Sequence, residues 1–179
     1  SHDKATTDIF QKALHNTYFR VYSSQDVKGV EFGGIIKNVY AIASGCIDGL
    51  ELGYNAKSSF LCRAIEEMKR LGEVLDIRTE TLFGLSGLGD LITTCCSNQS
   101  RNYNYGRQLV TGENNTINGY AEGPKTAQLM IEIADAENIS MPILTMIKRL
   151  ISKEVSARDA LSELMNRKAK AEFNEKDPI

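Results

Sequence analysis

Apolar residues recur at helical spacing in the first segment of the chain, residues 5–16. The residues that share one helical face are Ile9, Phe10, Ala13 and Leu14. Thr6 or Thr7 is suited to cap this helix, and residues 18–22 are rich in β-formers and predict a short strand. A single strand is not stable alone. Residues 1–25 are therefore interpreted as the end of an α/β domain whose earlier part is absent.

From Asp26 onward the pattern is helical almost to the end, and it predicts one mainly α-helical domain over residues 26–179. Asp26 can cap a long helix that reaches about Leu50, and Asn55 can cap the next one. The apolar stripe of that second helix, with charges opposite, comprises Phe60, Leu61, Ile65, Met68, Leu71 and Leu75. Further helices are expected around 79–84, 88–95 and 101–110, from Pro124, from Pro142 and after Ser156, with a loop over 111–119.

Composition adds limits on the class of protein. Of 179 residues, 42% are hydrophobic and 25% charged, which is typical of a soluble globular domain. The formal net charge of -2 and the pI of about 5.8 argue against a broad nucleic-acid surface. No apolar run approaches the roughly 18 residues of a membrane span. The first four residues, Ser-His-Asp-Lys, lack the apolar stretch of a signal peptide.

The cysteines and histidines exclude several kinds of site. No C-x-x-C pair occurs among Cys46, Cys62, Cys95 and Cys96, so neither a zinc site nor a disulfide framework is indicated. Free thiols in a reducing cytoplasm are the plain interpretation. His2 and His15 both lie in the first segment, far from every other candidate, which argues against a histidine triad or a metal centre.

Lys37 is the most unusual charge in the chain, because its neighbours in the predicted long helix are almost all apolar. The same helix holds Gly29, Gly33 and Gly34, and each interior glycine costs roughly 0.8–1 kcal/mol relative to alanine. Such glycines suggest that another backbone or a ligand comes close. A lysine on the solvent-exposed face is the alternative. The glycines and the adjacent Asn38 favour a functional site.

Two more segments break the local pattern. Glycines at 84, 87 and 89 invert the spacing of the dinucleotide fingerprint, and no strand precedes them, so a Rossmann loop is rejected. A helix entry with Asp90 in its first turn fits better. Ser100 and Arg101 then stand at another helix start, where free N–H groups and a guanidinium suit an anion. Each charge has a plain alternative, a helix-end charge for Asp90 and a solvated arginine for Arg101.

Taken together, these segments resemble the C-terminal domain of the NAD(P)-dependent glycerol-3-phosphate dehydrogenases, the bacterial type in particular. The resemblance runs in order over nearly the whole chain and rests on Asp26-Val27-Lys28-Gly29-Val30-Glu31, Gly34-Ile35-Ile36-Lys37-Asn38-Val39, Gly87-Leu88-Gly89-Asp90-Leu91, Thr93-Thr94-Cys95, Ser100-Arg101-Asn102 and Glu122-Gly123-Pro124.

The resemblance implies an all-helical, bundle-like substrate domain of the 6-phosphogluconate-dehydrogenase-like class, which follows an N-terminal Rossmann domain and helps to form a homodimer. It implies reversible reduction of dihydroxyacetone phosphate to sn-glycerol 3-phosphate with NADH or NADPH. Lys37 matches the catalytic lysine, the proton donor or acceptor at the substrate oxygen. The other substrate positions are Asn38, Asp90, Thr94, Ser100, Arg101 and Asn102, and the cofactor contacts are Arg101, Tyr120 and Glu122.

The glycine-rich phosphate loop of the family is missing, so the chain as given is expected to bind the dinucleotide poorly and to turn over little or nothing. Two alternatives remain open. One is a related dehydrogenase of Rossmann-plus-helical design that acts on a hydroxy acid or sugar acid, which the Lys-Asn, Gly-Leu-Gly-Asp and Ser-Arg-Asn segments fit badly. The other is a dimerisation module without catalysis, for which no substrate would change the melting temperature.

Overall fold

The computed structural model describes residues 1–112 and 121–168, and every regular element in these ranges is helical. The α-helices are α1 Lys4–Leu14, α2 Val27–Gly49, α3 Gly53–Val74, α4 Thr79–Phe83, α5 Asp90–Cys95, α6 Arg101–Thr111, α7 Gly123–Ala136, α8 Pro142–Ile151 and α9 Ala157–Met165. One turn of π-helix, Leu85–Gly89, leads directly into α5. The prediction of a mainly α-helical domain is confirmed. Most of the predicted loop at 111–119 lies outside the described residues.

Helix α2 is the centre of the domain and packs against α3, α5, α6, α7 and the π-helical turn. Its middle is apolar on all sides, as the sequence of a buried helix must be. The apolar α2 residues that are fully buried are Ile36, Val39, Tyr40, Ala41 and Ile42. Each large apolar side chain buried in this way stabilises the fold by roughly 1.5–3 kcal/mol. The one charged residue of this stretch, Lys37, therefore lies beside the best-packed part of the core.

Helices α2 and α6 cross at a pair of glycines. A side chain at Gly45 would overlap the carbonyl oxygen of Tyr103, and one at Gly106 would overlap that of Ile42. The two backbones are therefore in direct contact, which only glycine permits. This contact fixes the start of α6, residues 101–102, relative to α2.

Glu67 on α3 is a fully buried carboxylate that caps another helix. It accepts hydrogen bonds from the backbone N–H groups of Ile143 (2.7 Å) and Leu144 (3.0 Å) and from the Tyr40 hydroxyl (3.4 Å). These N–H groups begin α8, where they have no partner inside the helix. Burial raises the pKa of Glu67, and the two N–H donors oppose that shift. The expected separation of apolar and charged faces on α3 is thus wrong at Glu67.

The predicted strand at residues 18–22 is absent, and no residue in the described ranges is in a strand. A strand needs a neighbour to accept and donate its backbone hydrogen bonds, and none of the described segments supplies one. Tyr18, Phe19 and Tyr22 are exposed, and α1 buries none of its side chains. The interpretation of residues 1–25 as the end of a preceding domain stays a prediction.

The predicted helix starts are right at Asp26, Ser100 and Ser156, whose side chains accept from backbone N–H groups. Pro124 and Pro142 lie in the first turns of α7 and α8, as expected. Two caps are wrong. Asp3 caps α1 in place of Thr6 or Thr7, because its carboxylate accepts from two N–H groups one turn earlier. Helix α3 begins at Gly53, before Asn55, without a side-chain cap.

All four cysteines are free thiols. Burial raises the pKa of Cys46 and of Cys95 to about 12, so both behave as small core residues. Within the described ranges, no helix is long and apolar enough to cross a membrane.

Candidate active site

Lys37 and Asp90 form an ion pair, with 2.5 Å between Lys37 Nζ and Asp90 Oδ2. Lys37 lies on α2 and Asp90 is the first residue of α5. The two side chains are 21% and 35% exposed, so the pair lies at the edge of the core with access to solvent. Asp90 takes one N–H of the ammonium, and within the described residues the other two have no partner. The pair can therefore hold a third, electron-rich group.

The glycines one turn before Lys37 explain how Asp90 reaches it. A side chain at Gly33 would overlap the backbone of Ser86 and Gly87, so α2 and the π-helical turn touch there. Gly33 precedes Lys37 by one turn and Ser86 precedes Asp90 by one turn, so this contact sets the register of the pair. The expected close backbone approach is confirmed at Gly33. Gly34 differs, because nothing lies within 4 Å of where its side chain would start.

Helix α5 is anchored to α2 at its last residue, where the buried Ser44 of α2 donates to the Cys95 carbonyl oxygen (2.7 Å). Within α5, Thr94 donates its hydroxyl to the Asp90 carbonyl (2.7 Å) and lies 3.5 Å from Asp90 Oδ1. Sequence reasoning did not identify Ser44, since nothing local shows that it faces Cys95. Asp90 is thus fixed through Thr94 and through the contact of α5 with α2.

A second group of side chains begins at Asn38, the residue after Lys37. Asn102 donates from Nδ2 to Asn38 Oδ1 (3.0 Å), and its Oδ1 accepts from the backbone N–H of Gly123 (2.8 Å). Asn38 in turn donates to the Gly34 carbonyl oxygen (3.3 Å). This Asn38–Asn102–Gly123 chain joins α2 to the first turns of α6 and α7. Gly123 was predicted only as part of the Glu-Gly-Pro segment.

The remaining predicted site residues lie next to this chain. Ser100 caps α6, accepting from the Tyr103 N–H (3.3 Å). Arg101 and Glu122 are exposed and directly precede Asn102 and Gly123. The Arg101 guanidinium makes no hydrogen bond or ion pair with the described residues, so it is free to bind an anion. Tyr120 lies outside the described residues. The structure thus places the described candidates on α2, on α5 and at the starts of α6 and α7, and their roles stay predictions.

A second lysine–aspartate pair, which sequence reasoning missed, lies at the other end of α2. Lys57 Nζ of α3 is 2.5 Å from Asp48 Oδ2. The Tyr103 hydroxyl donates to the same oxygen (2.5 Å), and the ammonium lies 5.2 Å from the centre of the Tyr103 ring. Tyr103 therefore contacts both members of this pair.

Comparison with known proteins identifies the class. The family model described as "NAD-dependent glycerol-3-phosphate dehydrogenase C-terminus" matches residues 26–162. The chain belongs to this family of glycerol-3-phosphate dehydrogenase C-terminal domains.

Individual relatives agree with the family. The glycerol-3-phosphate dehydrogenase [NAD(P)+] of Nostoc sp. is 47% identical over 169 residues, which cover 92% of this chain and 55% of the relative. The protein of the same name from Synechococcus elongatus is 43% identical over 178 residues, 97% of this chain and 58% of the relative. The chain therefore spans about half the length of the curated relatives it matches. The predicted family resemblance is confirmed.

Solved structures support the fold. The crystal structure of glycerol-3-phosphate dehydrogenase from Coxiella burnetii has a TM-score of 0.85 and 36% identity, over 92% of this chain and 52% of that chain. The glycerol-3-phosphate dehydrogenase of Saccharomyces cerevisiae, at 24% identity, has a TM-score of 0.79 over 89% of this chain and 48% of that chain. At that identity the yeast structure shows only that the fold is shared.

Proposed function

We propose that this chain is the substrate-binding and catalytic half of an NAD(P)-dependent glycerol-3-phosphate dehydrogenase. The enzyme reduces dihydroxyacetone phosphate to sn-glycerol 3-phosphate with NADH or NADPH, and the reaction is reversible. One observation carries the proposal: in a domain of this family, the lysine that matches the catalytic position forms an ion pair with Asp90 and keeps two N–H donors free of protein partners among the described residues.

The chemistry requires a proton source beside the ketone. Addition of hydride to the carbonyl carbon breaks the C=O π bond and leaves the electron pair on oxygen as an alkoxide. Lys37 can donate a hydrogen bond to that oxygen as charge develops and then transfer its proton, which completes the alcohol. Asp90 holds the ammonium in place through its own hydrogen bond. In the reverse direction the neutral lysine accepts the hydroxyl proton.

Arg101 is proposed to bind the substrate phosphate. Its guanidinium is exposed and has no partner in the described part of the chain, while its backbone is fixed by the contact of α6 with α2. A planar guanidinium can bind two phosphate oxygens at once. Phosphate binding of this kind positions the distant carbonyl at Lys37. Asn38, Thr94, Ser100 and Asn102 complete the proposed substrate pocket, and the open space beside Gly34 leaves room next to Lys37.

The cofactor contacts are proposed at Arg101 and Glu122, with Tyr120 as a third. Arg101 and Glu122 are both exposed, and their neighbours Asn102 and Gly123 are hydrogen bonded to each other. The backbone at both positions is therefore held at one junction, which supports their assignment to the same ligand. When bound, the nicotinamide supplies the hydride.

We also propose that the whole enzyme is a cytoplasmic homodimer and that its product supplies glycerophospholipid synthesis.

The experiment joins this chain to the preceding half of the Nostoc relative, a product called the assembled enzyme below. Oxidation of NADH and NADPH is followed with dihydroxyacetone phosphate, with unphosphorylated dihydroxyacetone and with a 2-keto acid. A single cooperative melting transition and quenching of NADH fluorescence establish that the assembled enzyme folds and binds cofactor. We expect turnover of dihydroxyacetone phosphate and little of the other two compounds. A folded, cofactor-binding protein without this turnover would disprove the proposal.

Arg101→Ala tests the phosphate role, with Arg107→Ala as its matched control on the exposed surface of the same helix. Loss of a charge-assisted contact should raise KM for dihydroxyacetone phosphate by roughly 10–100-fold. The weak reaction with dihydroxyacetone should change much less, and Arg107→Ala should leave both nearly unchanged. Equal losses on both substrates would contradict phosphate binding by Arg101.

A further inference from the structure

Gly34 differs from every other glycine of α2, because no contact with the described residues requires it. A side chain at any of the others would meet a neighbouring atom at 3.1 Å or less, and these positions are Gly29, Gly33, Gly45 and Gly49. At Gly34, nothing among the described residues lies within 4 Å of where a side chain would begin. Alanine is more favourable than glycine inside a helix. A glycine at this position therefore indicates that a group from outside the described chain approaches the α2 backbone here.

The space over Gly34 lies beside the proposed catalytic lysine. Lys37 and Asn38 are its neighbours on the next turn of α2, three and four residues further along the chain. Helical side chains lean toward the N-terminus, which brings both of these over the turn that contains Gly34. The Asn38 side chain shows this directly, since its Nδ2 donates to the Gly34 carbonyl oxygen (3.3 Å). With about 3.6 residues per turn, Gly34 points between the two side chains, so they bound the open space on either side.

The proposed phosphate site lies on the Asn38 side of this space. Asn102 donates to Asn38 Oδ1 (3.0 Å), and Arg101 is the residue before Asn102 at the start of α6. The proposed proton donor, the Lys37 ammonium, lies on the other side. A small substrate that binds both groups therefore passes in front of the α2 backbone at Gly34.

We infer that Gly34 is a substrate-contact position, at which the carbon chain of dihydroxyacetone phosphate lies against the α2 backbone. The missing side chain then sets the width of the pocket between Lys37 and Asn38. The inference rests on the proposed function, since it assigns the same substrate to the same site and adds the residue that limits its size.

The test is Gly34→Ala, measured in the assembled enzyme and in the 179-residue chain. The added methyl group meets no described atom, so urea unfolding should show a chain at least as stable as the parent. The same methyl group occupies substrate space, so the KM for dihydroxyacetone phosphate should rise about tenfold. The KM for NADH should stay near its parent value. Gly34→Val adds a larger side chain and should raise the KM for dihydroxyacetone phosphate further.

Ser59→Ala is the matched control on the exposed surface of α3. It also replaces a weaker helix former by alanine, but on a different helix from Lys37. Both KM values should stay at the parent level, which separates the effect of a filled space from that of a more stable helix.

Three results would overturn the inference while the parent enzyme remains active. If both Gly34 variants keep the parental KM for dihydroxyacetone phosphate, the space does not hold substrate. An equal or larger rise in the KM for NADH would place the nicotinamide over Gly34. A lower melting temperature of the assembled Gly34→Ala enzyme, without a loss of stability in the 179-residue chain, would place the preceding half of the enzyme there.

Failure of the proposed function has a different signature. A parent assembled enzyme that folds and binds NADH but does not turn over dihydroxyacetone phosphate disproves the function, and the inference with it. An active parent with unaltered Gly34 variants disproves the inference alone.

Discussion

The two lysine–aspartate pairs on α2 have the same chemistry and the same 2.5 Å separation, but different surroundings. At one end of the helix, Tyr103 donates to Asp48 and places its ring beside Lys57, so the Lys57–Asp48 pair is completed by a third side chain. At the Lys37–Asp90 pair, the Thr94 hydroxyl lies 3.5 Å from Asp90 Oδ1 and so contacts the carboxylate, not the ammonium. Each ammonium makes one hydrogen bond within the described residues, so the difference is the Tyr103 ring, which lies over the Lys57 ammonium and has no counterpart among the described residues at Lys37.

Exposure agrees with this difference. The Lys57 side chain is 12% exposed and that of Lys37 is 21% exposed, although both ammonium groups meet a carboxylate. A buried pair that loses one partner leaves an uncompensated charge, which is costly to stability. An ion pair alone therefore does not mark an active site. The useful criterion is whether a third protein side chain already covers the ammonium.

The largest expected effect comes from truncating each lysine in the assembled enzyme. Lys37→Ala should lower kcat about 10³-fold, because it removes the proton donor, while NADH binding stays near its parent level. Lys57→Ala is the matched control at the Lys57–Asp48 pair. It should retain kcat within a few-fold and lower the melting temperature instead. Steady-state kinetics, NADH titration and thermal melting give the three readouts.

The comparison fails if the two lysines exchange their effects. Near-normal turnover in Lys37→Ala would remove the catalytic role from the Lys37–Asp90 pair. A kcat loss in Lys57→Ala as large as that in Lys37→Ala, without loss of stability, would place chemistry at the Lys57–Asp48 pair.

A smaller effect is expected from the adjacent glycines that precede Lys37. Gly33→Ala forces a methyl group against the backbone of Ser86 and Gly87, so it should destabilise the chain by about 3 kcal/mol. It should also separate Asp90 from Lys37. Gly34→Ala is the matched control, because its methyl group meets open space and alanine is the better helix former. It should stabilise the chain by up to about 1 kcal/mol.

Urea unfolding of the 179-residue chain measures both glycine variants. If Gly33→Ala is as stable as the parent, the π-helical turn does not fix the register of the Lys37–Asp90 pair. In the assembled enzyme, Gly34→Ala should raise KM for dihydroxyacetone phosphate without a loss of stability if the open space beside Gly34 receives substrate.

Much of this domain could be predicted from local sequence, because helix ends depend on nearby residues. Asp26, Ser100, Pro124 and Pro142 all stand where capping and proline rules put them. Lys37 was found for a related reason, since a charge inside an apolar run breaks a pattern visible within one helix.

What could not be predicted depends on residues far apart in the chain. Glu67 caps a helix that begins about 75 residues later, and Tyr103 meets Asp48 across α2 and α6. The strand predicted at 18–22 failed for the same reason: β propensity is local, whereas a strand requires a distant partner. The roles of the site residues came from the family resemblance and stay predictions.

The smallest expected effect concerns the third member of the Lys57–Asp48 group. Burial, together with the hydrogen bond to the Asp48 carboxylate, raises the pKa of Tyr103 to about 12, against about 10 for an unfolded tyrosine. Between these values the unfolded chain loses the phenolic proton while the folded chain keeps it. The contribution to stability is therefore complete below about pH 10 and is lost as the pH rises toward 12.

Tyr103→Phe tests this by removing the hydroxyl while keeping the ring. At pH 7 it should cost about 1.5 kcal/mol, the value of one hydrogen bond to a charged group. Its stability should also fall less steeply than that of the parent between about pH 10 and 12. Tyr54→Phe, at a tyrosine that is 89% exposed, is the control and should follow the parent at every pH.

Because Tyr103 contacts Asp48 and not Asp90, kcat of the Tyr103→Phe variant of the assembled enzyme should stay within a few-fold of the parent. A Tyr103→Phe variant with parental pH dependence but strongly reduced kcat would show that the two pairs are not separate in function.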